Sequence, residues 1–192
     1  MPRLPEFDET QFDARQQTIY DEILASRGHL GGPFKIWLYS PELADRAQRL
    51  GEFLRYHTSL EPRLSELAIL VVGRHYHCQV EWTLHERFAR EAGLDDAIID
   101  ALRQNTTPAD LAPEEAATYA YAKEILGQGS VSDETFAQTQ ATLGNQALVE
   151  LTSLVGHYVH VSMTLNAFQV PLPPDVEPTL TDAPIFSAAN DG

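Results

Sequence analysis

Residues 64–93 read LSELAILVVGRHYHCQVEWTLHERFAREAG, and the fold turns on how this stretch is shaped. Its first part holds the longest apolar run of the chain, Leu67 to Gly73. Its second part spaces Cys78, Glu81 and His85 at i, i+3 and i+7, positions that share one stripe of an α-helix. A thiol, a carboxylate and an imidazole then face the same place. Glu66 precedes Cys78 by 12 residues. On one straight helix the two would stand about 18 Å apart and about 120° out of phase, so a site holding all four residues requires a bend. Gly73 is the breaker at hand. The reading is therefore two helices, Glu61 to Arg74 and Gln79 to Ala92, with the turn between Gly73 and Cys78 and Gly93 closing the second.

Histidine titrates near neutral pH unaided, and a neighbouring carboxylate tunes it further, so this cluster points to acid–base chemistry. Each member also has a plainer reading. Glu66 fits an amphipathic helix surface, and Cys78, the sole cysteine, fits a small buried hydrophobe. Glu81 and His85 could be an exposed i,i+4 pair worth about 0.3 kcal/mol. The apolar bulk of Trp82 and Leu84 on the same helix favours the functional reading, with Trp82 as core or pocket wall. Histidines 75, 77, 157 and 160 invite a metal, and His157 with His160 shares a face. The His-Glu-x-x-His pattern is absent, so no metal is expected. Gly-x-Gly-x-x-Gly, P-loop and Gly-x-Ser-x-Gly elements are absent as well.

Helical periodicity runs through the rest of the chain, which reads as an all-α domain over residues 1–170. Asp8 to Ser26 carries Phe12, Ile19, Tyr20, Ile23 and Leu24 on one side. The segment RGHLGGPFKIW supplies glycines and Pro33 as a loop able to cover a pocket. Ser40-Pro41-Glu42 is a helix start with a hydroxyl cap, a proline in the first turn and an acid at the positive end of the dipole, and that helix runs to about His57. Helices follow at Asp95 to Arg103, Pro113 to Leu126 and Ser132 to Leu143, and a long apolar one at Asn145 to Val170. Residues 171–192 are proline-rich and read as a disordered tail or an arm laid on a neighbouring subunit, with Ile185 and Phe186 favouring the arm.

The 192 residues and 43% hydrophobic content suffice for one sizeable core. Thirteen Lys and Arg against 28 Asp and Glu give a formal charge of −15, which argues against nucleic acid and anionic membrane surfaces as partners. No apolar run approaches the roughly 20 residues of a membrane span, and the N-terminus lacks a signal-peptide pattern, so the expected location is the cytoplasm. An internal echo pairs the stretch from Glu66 through Gly73 and His75-Tyr76 to Thr83-Leu84-His85 with Glu150 through Gly156 and His157-Tyr158 to Thr164-Leu165-Asn166. About ten identities in apolar helices arise by duplication or by chance. Under duplication, Asn166 is the counterpart of His85.

The run LSELAILVVGRHYHCQVEWTLHERFAREAGLDDAIIDAL resembles the carboxymuconolactone decarboxylase family, whose fold group includes the alkylhydroperoxidase-D type peroxidases. The likeness extends over roughly residues 33–173, including SPELADRAQRLGEFLR and MTLNAFQVPLP. In the peroxidase branch a glutamate lies twelve residues before the first cysteine of a Cys-x-x-Cys pair, and a histidine follows the second cysteine by four. Glu66, Cys78 and His85 match those places, while Glu81 stands where the second cysteine would be. A dithiol peroxidase cycle cannot close within this chain. The decarboxylase branch shows the His85, Ala89, Gly93 spacing and works without metal or organic cofactor.

The resemblance implies an alkylhydroperoxidase-D-like helical bundle assembled as a trimer or hexamer and acting on a small molecule. The leading expectation is a cofactor-independent lyase for a small lactone or oxo acid from aromatic-compound breakdown. In it His85 donates the proton, Glu81 orients it, Glu66 completes a relay, and Cys78 is a pocket wall. Trp82, His77 and Asn166 are expected at substrate-binding positions. The alternatives are a peroxidase using Cys78 with an external thiol, and a helical binding protein without catalysis.

Overall fold

The computed structural model describes residues 2–5, 7, 9–28 and 30–186, and every regular element among them is helical. The centre is α4 (Pro62–His75), which is buried from Leu64 through Arg74 and packs on three later helices. The run Leu67 to Gly73 has no polar face to offer water, so the helix carrying it is enclosed by neighbours. Those neighbours are α5 (Gln79–Glu91), α7 (Pro113–Gln128) and α8 (Asp133–Ala167), with the short α6 (Asp96–Arg103) closing one end. Outside them, α1 (Ala14–Arg27), α2 (Phe34–Trp37) and α3 (Pro41–Tyr56) form a second layer, in which α3 bridges α1 and α8.

The bend the site requires lies between α4 and α5. The helix ends at His75, His77 takes φ of +48°, and the Cys78 amide returns to the Gly73 carbonyl at 2.9 Å, while Cys78 itself caps α5 in extended conformation. The hairpin is tight. A Cβ on Gly73 would stand 3.4 Å from the Trp82 amide nitrogen, so the absence of a side chain lets the helices approach at this point.

Several boundaries differ from expectation. The first helix begins at Ala14, because Asp13 and Gln16 form a reciprocal capping box that starts the helix there, and a 3-10 turn at Glu9–Gln11 precedes it. Its expected first residue, Asp8, lies outside the described residues. Ser40 makes no side-chain cap; its carbonyl accepts the amides of Leu43 and Ala44 instead. The loop after α1 contains α2. The two final helices do exist, but they run on as one element kinked at Gly144, whose φ is +82°. Gly156, the echo of Gly73, is interior to α8, so the second half of the internal echo has no bend like that between α4 and α5.

The proline-rich segment lies along its own chain. Leu180 is fully buried, Thr179 donates to Glu86 at 2.6 Å, and Asp182 takes both terminal nitrogens of Arg74 at 2.9 and 2.7 Å. A buried guanidinium needs an anion, and this tail supplies it. Through Asp182 the tail thus packs along its own chain. Residues 187–192 lie outside the described residues.

Candidate active site

His85 is the hub of a buried charge cluster. It sits on the second turn of α5, 6% exposed, with Nδ1 2.6 Å from Glu66 Oε2 on α4 and Nε2 2.8 Å from Glu81 Oε1 one turn earlier on its own helix. Both ring nitrogens thus have a carboxylate, an arrangement that suits an imidazolium with two N–H donors. Burial works against that charge, but Glu66 and Glu81 outweigh it and raise the His85 pKa to about 9. At neutral pH the ring holds its proton.

Arg55, near the end of α3, balances the second carboxylate. Its Nη2 lies 3.6 Å from Glu66 Oε1, and its Nη1 lies 3.2 and 3.4 Å from the two His85 nitrogens. Those nitrogens already serve the carboxylates, so Arg55 acts on His85 as a neighbouring charge and not as a further hydrogen-bond partner. Its hydrogen bond goes to the Tyr158 hydroxyl at 3.2 Å, and the guanidinium lies 4.5 Å from the Phe88 ring centroid. Two cations and two carboxylates make a cluster of no net charge.

One face of this cluster opens on a cavity of about 180 Å³. Glu81, His85, Arg55 and Tyr158 line it, together with Phe34, Trp37, Leu84, Phe88 and Val161, and Gly31, Gly32 and Pro33 border it from the loop before α2. Glu66 is not in the lining. Arg87 and His157 line the cavity as well, so it is a largely aromatic chamber with the Glu81–His85 pair and several further polar groups in its wall, and a second carboxylate behind.

Residues 41–124, including α3, α4 and α5, match the model of the carboxymuconolactone decarboxylase family. Over this stretch the chain is similar to that family. Among curated proteins, none matches it in sequence. Among solved structures, an uncharacterised peroxidase-related protein with an AhpD core from Ralstonia eutropha JMP134 aligns with a TM-score of 0.76 at 12% identity, over 91% of this chain and 93% of its own. The debrominase Bmp8, as a cysteine-to-alanine variant in complex with 2,3,4-tribromopyrrole, aligns with a TM-score of 0.71 at 11% identity, over 88% and 90%. A protein of unknown function from Agrobacterium tumefaciens aligns with 0.65 at 18% identity, over 76% and 100%. At these identities the likeness concerns the fold alone.

The residues read from sequence divide into two groups. Glu66, Glu81 and His85 meet as the spacing requires. Cys78 lies beside them but has no exposed surface and does not line the cavity, and burial, with the Glu81 charge adding to it, pushes its thiol up to about 12. A thiol in that state offers almost no thiolate at neutral pH.

Trp82, His77 and Asn166 are placed away from the cavity. One residue on from Glu81, Trp82 is turned about 100° round the helix, where it is fully buried and its indole donates to Glu86 at 3.0 Å. His77 sits on the half-exposed turn, 3.8 Å from Asp182. The Asn166 amide donates to the Tyr76 carbonyl, fastening the end of α8 to the turn between α4 and α5. Arg55 and Tyr158, which do line the cavity, escaped the sequence reading. Arg55 ends the SPELADRAQRLGEFLR segment and Tyr158 falls in the internal echo, but neither has a local partner to give it away. Among the described residues no group of three or more His, Cys, Asp or Glu side chains is placed to hold a metal ion.

Proposed function

We propose that this protein is a cofactor-independent proton-transfer lyase that delivers a proton to carbon in a small lactone or oxo acid of the kind met in aromatic-compound breakdown. The observation that carries this reading is the line Glu66–His85–Glu81, with bonds of 2.6 and 2.8 Å, of which His85 and Glu81 line the cavity and Glu66 does not. Glu66 anchors Nδ1 and stabilises the imidazolium. The mobile proton is the one on Nε2, and Glu81 is the carboxylate through which it reaches substrate. This reading changes the roles expected from sequence: His85 is the proton store, and Glu81, which shares the cavity wall with it, is the group that transfers. The substrate class rests on the similarity to the carboxymuconolactone decarboxylase family over residues 41–124; the cavity of about 180 Å³ is consistent with a small compound.

Turnover of candidate carboxylactones and oxo acids, followed by carbon dioxide release and by deuterium incorporation at carbon in heavy water, tests the proposal. Glu81→Gln keeps the side-chain shape and should lower turnover by about 10²- to 10⁴-fold. Cys78→Ala should stay within about tenfold of wild type. Wild-type rates in Glu81→Gln would remove the relay through Glu81, and peroxide reduction that vanishes in Cys78→Ala would replace the lyase with the single-cysteine peroxidase. The burial of Cys78 speaks against that outcome.

A further inference from the structure

Tyr158 is a polar group of the cavity wall that the proton relay does not use. Its ring stands edge-on to the His85 ring, with centroids 5.1 Å apart. Its oxygen accepts from Arg55 Nη1 at 3.2 Å, which leaves the phenol proton available to donate, and among the described residues no acceptor is recorded for it. Arg55 is itself held by Glu66 and by the Phe88 face, so the hydroxyl is fixed from behind. Burial raises the Tyr158 pKa above the ordinary phenol value despite Arg55, so the group remains a donor across the physiological range. A fixed donor backed by a cation, in one small cavity with a proton-transferring carboxylate, suits a reaction in which charge gathers on a substrate oxygen while the neighbouring carbon is protonated.

Building on the proton-transfer reading above, we propose that Tyr158 is the oxyanion-binding catalytic residue of this site, with Arg55 as its positioning residue, and that the substrates are carbonyl compounds reacting through an enolate or dienolate. In a decarboxylation the bond between the carbon chain and the carboxylate breaks. Its electron pair moves through the chain to the carbonyl oxygen, and carbon dioxide leaves. Tyr158 donates a hydrogen bond to that oxygen and keeps its proton. The proton of His85 Nε2, passed through Glu81, forms the new C–H bond as the oxygen returns to a carbonyl, and His85 regains a proton from water.

The probe is 4-nitrophenol, whose phenolate is yellow. At a pH where the free compound is mostly neutral, the wild-type protein should bind it as the phenolate. Tyr158→Phe should weaken phenolate binding about 10- to 100-fold, the worth of one hydrogen bond to a charged group, and leave binding of nitrobenzene, a neutral ring of similar size, unchanged. Arg55→Lys should recover part of the phenolate affinity lost in Arg55→Met; equal losses would remove Arg55 from its role. Glu81→Gln should lose turnover yet bind phenolate at least as well, because a neighbouring negative charge is gone. Lost turnover with normal phenolate binding therefore supports both assignments, whereas normal turnover in Glu81→Gln overturns the relay and leaves the oxyanion site standing. Unchanged phenolate affinity in Tyr158→Phe, binding of the probe as neutral phenol, or no binding of either probe to wild type would overturn the assignment of Tyr158.

Discussion

His85 stands between two carboxylates, at 2.6 and 2.8 Å, and its protonation should be visible in both rate and stability. Its pKa in the folded protein, about 9, lies above the ordinary 6.5. The fold thus favours the protonated ring, and the stability this contributes is fully present below about pH 6.5 and is lost as pH rises through about 9. Thermal melts across that interval should show the midpoint falling. In a Glu66→Gln/Glu81→Gln double variant, which lacks the charges that raise the pKa, that fall should be absent; parallel curves would refute the coupling. Turnover should decline over the alkaline end of the same interval, because the donor proton on Nε2 is then missing, and a nitrogen-15 titration of the imidazole should report the same value. His85→Gln is the poorer probe of chemistry, since it leaves Glu66 and Glu81 buried without their cation.

At the level of elements, the hairpin of α4 and α5 sets the distance between Glu66 and His85, and at Gly73 the backbone of α5 comes within contact distance of α4. Gly73→Ala adds a methyl at 3.4 Å from the Trp82 amide nitrogen, an ordinary contact, and improves helix propensity by about 0.5–1 kcal/mol. It should be near neutral. Gly73→Val has no room for its branches and should cost about 1–3 kcal/mol by overpacking, shifting the denaturant midpoint and slowing turnover as Glu81 and Trp82 are pushed outward. The tail acts on the opposite side of α5. Deleting residues 176–192 removes the fully buried Leu180, worth about 1.5–3 kcal/mol, together with the partners of Arg74 and Glu86. The midpoint should fall while activity at low temperature persists, because none of these tail residues lines the cavity. Loss of activity in a folded, truncated protein would show that the tail shapes the site.

The whole molecule leaves an apolar groove uncovered between α3 and α8, lined by Leu50, Phe53, Leu54 and Val149. Phe53 is 44% exposed and Val149 67%. With a formal charge of −15 opposing contact between copies, an apolar patch of this kind favours a specific interface over non-specific association. Tyr56, one turn beyond Phe53, lines the cavity, so an assembly through this face would reach its rim. A homo-oligomer, trimer or hexamer, is expected in light scattering, and Phe53→Glu with Val149→Glu should reduce it to a smaller species. A wild-type monomer at micromolar concentration would refute this. No helix among the described residues is long and apolar enough to cross a membrane.

The all-α character, the bend before Cys78 and the meeting of Glu66, Glu81 and His85 were legible in the sequence, because helical periodicity is a local property, although the turn falls at His77 and the expected breaker, Gly73, lies inside α4. Spacing alone could say that Cys78, Glu81 and His85 share a stripe. It could not say which of them would reach a cavity, since that depends on what packs against the stripe. Tertiary structure buried Cys78, turned Trp82 toward Glu86 and left Glu81 and His85 at the cavity. It also brought in Arg55, 30 residues from His85, and Tyr158, 103 residues from Arg55. Contacts across such separations leave no period in the chain, and they are created only when α3 and α8 close on the central hairpin.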